Sequence, residues 1–335
     1  MKLYRLTGGG IDGLVPEQAD VPRPGPGQAL VRMRAASLNY RDIMVIEGRY
    51  GRGKAKERLV PVSDGAGEVV ETGSDVRRVK AGDRVVASFM QNWRDGPPRD
   101  DYNDSALGAS IDGVLSEFVL FDAEGLVKIP DALSFEEAAT LPCAGVTAWH
   151  ALFHDAGLRL GQTVLTLGSG GVSVFALQLA HAAGMRVIAT SSSDEKLERL
   201  RELGASELVN YRQRPDWERR VLELTDGRGV DHVVHVIRSG DLERSIQATR
   251  FGGAVHLVAS AVESEAVPGL VTRRLINLRG IHVGSREMLE ALARVCAQRN
   301  IRPVIDRVFP FEDAREAYRF LKSGSHFGKV VIDFP

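Results

Sequence analysis

The stretch Leu141 to Trp149, which reads LPCAGVTAW, contains Cys143, one of only two cysteines in the chain. A cysteine can ligate a metal, act as a nucleophile or fill space in a core. A reactive thiol needs a base or a cation beside it. His150 follows seven residues later, but on a segment that reads as the interior of a helix. We therefore predict that Cys143 is a small side chain that lines a binding cleft.

A second chemical signal is the glycine-rich stretch VLTLGSGGVSVFALQLA, in which an apolar strand-like run leads through glycines into a helix-like run. In a dinucleotide-binding unit the first glycine makes a tight turn and the second admits the pyrophosphate. The N–H groups that begin the helix then bind it. We assign these roles to Gly168, Gly170, Gly171 and Val172. Ser173 replaces the third glycine of the motif, and its small side chain still permits close packing.

The next predicted strand, MRVIATS, runs into three serines that include Ser191 and Ser192. NAD sites usually have a carboxylate there to bind a ribose hydroxyl. Hydroxyl groups and the nearby Lys196 would instead accept a 2′-phosphate, so we predict NADP(H). Two alternatives stay open. Ser192 can simply cap the next helix together with Glu195, and Asp194 can turn toward a ribose hydroxyl.

The elements that must position these residues form two groups. QALVRMRAASL, GAGEVVETG and DRVVASF are short strand-like runs between turn residues, a spacing typical of a small barrel. From QTVLTLG onward, strand-like runs alternate with helices such as DEKLERLRELG, which predicts a parallel sheet covered on both faces. We expect an α/β chain with a β-barrel domain over 1–126, completed by 285–335, and a doubly wound dinucleotide-binding domain over 127–284.

Composition restricts the class of protein. The chain has 335 residues, and its 43 basic and 44 acidic residues nearly cancel without long runs of one sign. That balance argues against nucleic-acid and membrane partners, and no apolar stretch is long enough to span a bilayer. The start has no secretory signal, and two cysteines fit a reducing compartment. We expect a cytoplasmic protein that acts on a small molecule.

Several motifs in order carry a family resemblance that covers nearly the whole chain: SLNYRD, DGAGEVVETG, KAGDRVV, LPCAGVTAW, GSGGVSVFALQLA and GKVV. The sequence resembles the medium-chain dehydrogenase/reductase superfamily. It is most similar to the zinc-free quinone oxidoreductase and enoyl reductase branches, and to the related zinc-type alcohol dehydrogenase-like proteins that have lost their metal. The resemblance implies a GroES-like barrel catalytic domain, a Rossmann domain and an active site in the cleft between them. It also implies a homodimer formed through the edge of the Rossmann sheet, near 265–284.

The same resemblance bears on the cofactor and on metal. In NADPH-dependent relatives, a lysine and a tyrosine at the places of Lys196 and Tyr211 hold the 2′-phosphate, although Tyr211 also reads as a half-buried residue at the sheet edge. Zinc-dependent relatives bind their catalytic metal at places that here look like Asn39, Ser63 and Cys143. A lone thiol cannot replace the three protein ligands that such a zinc needs. The structural-zinc lobe corresponds to 91–113, which has no cysteine, so we expect no metal.

Without a Lewis acid, activated double bonds are easier substrates than simple alcohols. Hydride reaches an electron-poor carbon, and the resulting oxyanion needs only hydrogen-bond donors and a proton. By resemblance, Asn39 lies near the nicotinamide and Tyr50 binds substrate or donates a proton, although Tyr50 also reads as a surface turn residue. Arg41 would reach a cofactor phosphate, and Thr147 would pack on the nicotinamide. Arg238 stands where relatives have a glycine-rich turn, and would either contact phosphate or substrate or obstruct the usual approach.

We therefore expect an NADPH-dependent, zinc-independent reductase of quinones or conjugated C=C bonds. One alternative is an alcohol or aldehyde oxidoreductase. A second is a non-catalytic dinucleotide-binding protein, a use of this fold that occurs among relatives.

Overall fold

The computed structural model describes residues 1–50, 56, 58–154, 157–236, 241–258 and 269–335. Arg238, one of the residues singled out above, lies outside this set. The strands in chain order are β1 (Lys2–Leu6), β2 (Leu14–Gln18), β3 (Gln28–Leu38), β4 (Asp64–Thr72), β5 (Arg84–Ala87), β6 (Phe118–Asp122), β7 (Leu126–Lys128), β8 (Thr163–Leu167), β9 (Arg186–Ser191), β10 (Glu207–Asn210), β11 (Val230–Val236), β12 (Thr249–Val258), β13 (Asn277–Ile281), β14 (Ile305–Pro310) and β15 (Lys329–Asp333).

The α-helices are α1 (Tyr40–Ile46), α2 (Phe135–Ala139), α3 (Val146–Trp149), α4 (Gly171–Ala182), α5 (Asp194–Glu202), α6 (Trp217–Leu224), α7 (Leu242–Ala248), α8 (Gly269–Arg273), α9 (Arg286–Gln298) and α10 (Ala314–Ser323). Turns of π-helix flank α3, at Leu141–Gly145 and His150–His154. Short 3-10 turns lie at Gly10–Gly13, Asp100–Ser105, Ala123–Gly125 and Phe311–Asp313.

Contacts divide the chain into two compact units. The first consists of Met1–Val146 and Val283–Pro335, and the second of Thr147–His282. The boundary lies later than the predicted position between 126 and 127, for two reasons. β7 pairs with β5, and α2 packs on β3 and β4, so these elements belong to the first unit.

The first unit is built on a seven-stranded sheet with the order β14-β15-β3-β4-β5-β7, in which β6 also pairs with β3. The returning strand β15 runs antiparallel to β3, with Val330 opposite Leu38. Apolar side chains from both ends of the chain, such as Leu38 and Val330, share one buried core. The register places Lys329 beside the residue that follows β3, which is Asn39.

The second unit is a six-stranded parallel sheet with the order β10-β9-β8-β11-β12-β13. This is the strand order of a doubly wound dinucleotide-binding fold, in which ligands bind at the carboxyl ends of the strands where the order reverses. Here the reversal falls at β8, which runs directly into the glycine-rich stretch. The predicted fold class is confirmed in both units. No helix in the described part of the chain is long and apolar enough to cross a membrane.

Candidate functional site

The glycine-rich turn after β8 has the geometry that a bound pyrophosphate requires. Gly168 has φ +79°, a left-handed conformation that favours glycine, and its N–H donates to Thr190 Oγ1 at 3.2 Å. Gly170 precedes the first residue of α4, and a Cβ atom there would meet nothing within 4 Å. The open space therefore lies where the unpaired N–H groups of Gly171 and Val172 begin the helix.

Ser173, the departure from the glycine motif, is compatible with this turn. It is buried, and its hydroxyl donates to the carbonyl oxygen of Leu167, the last residue of β8, at 2.7 Å. The hydrogen bond joins the first turn of α4 to the end of the strand. A serine can thus preserve close strand–helix packing with its polar atom satisfied.

The tip of β9 presents hydroxyl groups that helix capping does not use. Ser191 is the last residue of the strand and is buried, while Ser192 is half-buried. The residue that caps α5 is Ser193, whose Oγ accepts the N–H of Lys196 at 3.4 Å. The alternative that Ser192 caps the helix is therefore wrong by one residue.

Asp194, which raised the possibility of an NAD site, is held in place by two side chains that the sequence analysis did not identify. Asn210 Nδ2 donates to Asp194 Oδ1 at 2.6 Å, and Gln213 Nε2 donates to Oδ2 at 2.8 Å. Both carboxylate oxygens are thus engaged with the segment after β10. Each carboxylate oxygen can accept a further hydrogen bond, so these contacts fix the orientation of Asp194 without using all of its acceptor sites.

A cavity of about 260 Å³ opens at the carboxyl ends of the central strands. Its lining includes Gly168, Thr190, Tyr211 and two residues that the sequence analysis missed, Trp217 and Arg244. The backbone N–H of Tyr211 donates to Ser191 O at 3.1 Å, which ties the tyrosine to the serine tip. Lys196 is half-buried in the first turn of α5. The predicted dinucleotide residues of the second unit are thus carried by adjoining elements at one end of the sheet.

A buried polar cluster lies in the first unit. The ammonium of Lys329 donates to Leu38 O at 2.7 Å and to Asn39 Oδ1. Asp64 receives the hydroxyl of Ser63 at 2.7 Å and the backbone N–H of Cys143 at 3.0 Å. Asn39 and Cys143 thus belong to one cluster, and Lys329, which the sequence analysis treated only as part of the GKVV motif, is a member of it.

Burial and the neighbouring charges shift the pKa values of the ionisable side chains in and beside this cluster. Burial raises the pKa of the Cys143 thiol, and the Asp64 carboxylate adds to the effect. Burial also raises the pKa of Asp42 to about 6, opposed by Arg41. It lowers the pKa of Lys329, with Asp64 acting in the opposite sense. A thiol with a raised pKa is a poor nucleophile, which supports the prediction that Cys143 acts as a small cleft residue.

Tyr50 and Arg41 contact each other. The Arg41 guanidinium lies 4.5 Å from the centre of the Tyr50 ring and 4.3 Å from that of Phe89, and its Nη1 donates to Leu107 O at 2.9 Å. Arg41 is buried and Tyr50 is half-buried. Arg41 thus packs against the Tyr50 ring and supports its position. The predicted phosphate contact of Arg41 stays a prediction, as does that of buried Thr147 with the nicotinamide.

Comparisons with known proteins agree with this geometry. Residues 25–131 match the family model described as alcohol dehydrogenase GroES-like domain, and residues 171–298 match zinc-binding dehydrogenase. A zinc-type alcohol dehydrogenase-like protein of Schizosaccharomyces pombe is 42% identical, over 96% of each chain. The chain belongs to the medium-chain dehydrogenase/reductase superfamily. It is an oxidoreductase of a family that binds a nicotinamide dinucleotide.

Two further relatives of this superfamily differ in their described activities. A chloroplast envelope quinone oxidoreductase homolog of Arabidopsis thaliana is 30% identical, over 98% of this chain and 97% of the other. A crystal structure of an NAD-dependent alcohol dehydrogenase superposes with a TM-score of 0.90 at 34% identity, over 99% of both chains. The relatives therefore include both reaction types that the sequence analysis considered.

Zinc is the metal that the family descriptions imply, and the residues at the matching places do not fit it. Asn39 Oδ1 receives the ammonium of Lys329, and the Ser63 hydroxyl donates to Asp64. Of the three places, only Cys143 carries a side chain of the kind that zinc prefers, and a catalytic zinc needs three protein ligands. Within the described ranges, no three His, Cys, Asp or Glu side chains are grouped so that they could hold a metal ion.

The residues of the glycine turn do fit a dinucleotide. An open space over Gly170, the start of a twelve-residue helix and a cavity at the strand ends adjoin one another. Arg244, which donates to Pro215 O at 2.7 Å, lines the cavity together with Asp241, whose Oδ1 lies 3.9 Å from Arg244 Nη1. No sequence motif marks Arg244, because α7 brings it to the cavity from well beyond the glycine turn.

Proposed function

We propose that this medium-chain dehydrogenase/reductase is an NADPH-dependent, zinc-independent reductase of quinones or conjugated C=C bonds. The observation that carries the cofactor assignment is the engagement of Asp194 by Asn210 and Gln213. Ser191 and Ser192 remain as the groups at the tip of β9, and the Asp194 carboxylate is directed toward the segment after β10. Lys196 and Tyr211 complete the phosphate site in this proposal.

The bound nicotinamide supplies a hydride to the substrate. The chain must then stabilise negative charge on a substrate oxygen and deliver a proton. In the proposal, Asn39 binds the substrate oxygen with its amide oriented by the ammonium of Lys329, and Tyr50 delivers the proton. The guanidinium of Arg41 packs against the Tyr50 ring and holds the phenol in position.

This assignment suits activated substrates, because an enolate or hydroquinone oxygen needs hydrogen-bond donors and a proton, and no metal. The similarity to a quinone oxidoreductase homolog supports it. The second candidate is an alcohol or aldehyde oxidoreductase, favoured by the descriptions of the yeast relative and of the superposed crystal structure. We also propose a homodimer through β13, which forms one edge of the parallel sheet.

Steady-state kinetics test the reaction. Purified protein is assayed with NADPH or NADH against 1,4-benzoquinone, methyl vinyl ketone, a simple aldehyde and, in reverse, a simple alcohol. The proposal expects NADPH oxidation with the quinone or the enone to exceed that with the aldehyde. Preferred turnover of alcohol or aldehyde would establish the second candidate. Tight NADPH binding without turnover of any substrate would indicate a binding protein.

A matched pair of variants tests the cofactor. Ser191→Asp adds a carboxylate at the tip of β9, and Ser191→Asn provides a neutral control of similar shape. Two like charges 4 Å apart repel by about 1 kcal/mol in water and about 4 kcal/mol near a protein surface. The affinity for NADPH should therefore fall by a factor of about five to nearly a thousand, with NADH little affected. Equal weakening of both dinucleotides would refute the 2′-phosphate assignment.

A further inference from the structure

Lys329 is a buried ammonium in an unusual setting. Its side chain is only 3% exposed, and both of its hydrogen bonds go to neutral oxygen atoms, the carbonyl of Leu38 and the amide of Asn39. The carboxylates of Asp64 and Asp42 stabilise its charge without ion pairing. A buried ammonium is costly, and an apolar side chain of similar volume would often serve stability as well. The position therefore calls for a use of the charge itself.

The surroundings of Lys329 indicate that use. Asn39, Ser63 and Cys143 stand at the three places that the family resemblance assigns to a catalytic zinc. Asn39 is bonded to the ammonium, and Ser63 and Cys143 are bonded to Asp64, which interacts electrostatically with it. A single positive charge thus lies within the group of residues where zinc-dependent relatives bind their metal.

The ammonium also fixes the orientation of Asn39. Lysine can only donate hydrogen bonds, so the amide oxygen must face Lys329 and the NH2 group must face away. Asn39 Nδ2 lies 3.5 Å from Ser37 O, which is long for a hydrogen bond. The Asn39 amide also donates toward the Asp64 carboxylate. Asn39 is thereby clamped between the ammonium and the carboxylate, and the ammonium polarises its amide toward a stronger donor.

We infer that Lys329 is the fixed cation of this centre: it positions Asn39 and excludes a divalent metal from the places that zinc-dependent relatives use. This inference rests on the proposed function for its effect on turnover, but its effect on metal binding is independent of any substrate. Lys329 acts through its hydrogen bond to Asn39 and through the electric field of its ammonium group. It is therefore a positioning residue.

Zinc binding supplies the first test, measured by calorimetry and by elemental analysis after dialysis. The substitutions N39C and S63H, with native Cys143, rebuild the ligand types of a zinc site. Adding K329M should increase zinc affinity at least a hundredfold over N39C/S63H alone, because the ammonium no longer repels the metal. Adding K322M instead, at an exposed lysine paired with Glu47, should change nothing. Equal zinc binding with and without K329M, including none in either, would overturn the inference.

Turnover in the otherwise native protein supplies the second test. Lys329→Met should lower kcat with the quinone or enone about a hundredfold, the size of effect seen when one oxyanion-stabilising donor is lost, with KM within about threefold. Lys329→Arg, which keeps the charge, should recover part of the loss. If Met and Arg variants retain native kcat, or lose it equally, Lys329 has only a structural role.

Failure of the proposed function can be distinguished from failure of the inference about Lys329. If the native protein turns over no quinone or enone, the proposed function fails, and the zinc comparison still decides the role of Lys329. Should K329M variants not fold, by circular dichroism, Lys329→Gln replaces them in both tests, since glutamine keeps a donor for Leu38 O without the charge. The same zinc and kcat criteria then apply.

Discussion

Asp231 at the start of β11 provides a test of how the dinucleotide-binding unit is stabilised. Its carboxylate is 2% exposed and accepts hydrogen bonds from Thr163 N at 2.9 Å, Arg228 Nη2 at 2.8 Å and Arg250 Nε at 2.5 Å. It thus joins the start of β8 to β11 and β12. Burial acts to raise the pKa of Asp231, but these donors outweigh it and lower the pKa to about 2.

The size of the effect follows from the shift. The pKa falls from 3.8 to about 2, and each unit is worth about 1.4 kcal/mol, so the ionised carboxylate stabilises the fold by about 2 kcal/mol at neutral pH. Because the pKa is lowered on folding, this stabilisation is fully present above pH 4 and is lost as pH falls toward 2. Asp231→Asn should therefore reduce the free energy of unfolding by about 2 kcal/mol at pH 7, and by progressively less below pH 4.

Urea denaturation of native and variant protein at pH 7, 5 and 3 measures this difference. The matched control is Asp12→Asn, because Asp12 also accepts from an arginine, Arg319, at 2.8 Å, but is 84% exposed. An exposed pair of that kind is worth about 0–1 kcal/mol. Cofactor affinity should stay unchanged in Asp231→Asn, since Asp231 lies at the opposite end of the strands from the glycine turn. A loss at pH 7 no larger than the control's, or one that is as large at pH 3 as at pH 7, would refute the reasoning.

Four other substitutions give distinct outcomes. Gly168→Ala should lower the melting temperature, because its left-handed φ costs a non-glycine residue about 1–2 kcal/mol. Gly170→Ala should leave the melting temperature unchanged. It should weaken NADPH binding about tenfold by calorimetry, because its methyl group enters the open space. Tyr50→Phe should reduce kcat about a hundredfold if the phenol delivers the proton, without loss of thermal stability, because the ring still stacks on the guanidinium; an unchanged kcat would assign Tyr50 to packing alone. Asn210→Leu, which removes a donor of about 1 kcal/mol from Asp194, should raise NADH affinity about fivefold relative to NADPH; no change would show that Asp194 does not reach the ribose.

The parts of the fold that depend on local pattern were predictable. The strand–glycine–helix succession around Gly168 and the amphipathic helix α5 follow from periodicity within a few residues. Their joint position at one end of a parallel sheet follows from the alternation of strands and helices. Hence the glycine turn and Ser191 were expected at the same end of the sheet, where the structure has them.

Features that depend on contacts between distant segments were not predictable in this way. Lys329 meets Asn39 across 290 positions, through a strand register that no local pattern specifies. The contact of Asp194 with Asn210 spans 16 positions, and the sequence indicates only that both lie near strand ends. The boundary at 126 was placed too early because β7 reads as the end of a domain until its pairing with β5 is known.

The glycine turn and the cluster around Lys329 interact with charged groups by different physical means. This difference affects how cofactor specificity and substrate specificity can change. The glycine turn offers backbone N–H groups in open space, so side chains there matter mainly by being small. The cluster around Lys329 instead holds two positive and two negative side chains, Arg41 and Lys329 with Asp42 and Asp64, buried together. Because removal of one member of such a set leaves an uncompensated buried charge, single substitutions there alter the field over the whole cluster. Substrate choice in this chain is therefore expected to change through coupled substitutions in the cluster, and cofactor choice through single substitutions at the tip of β9.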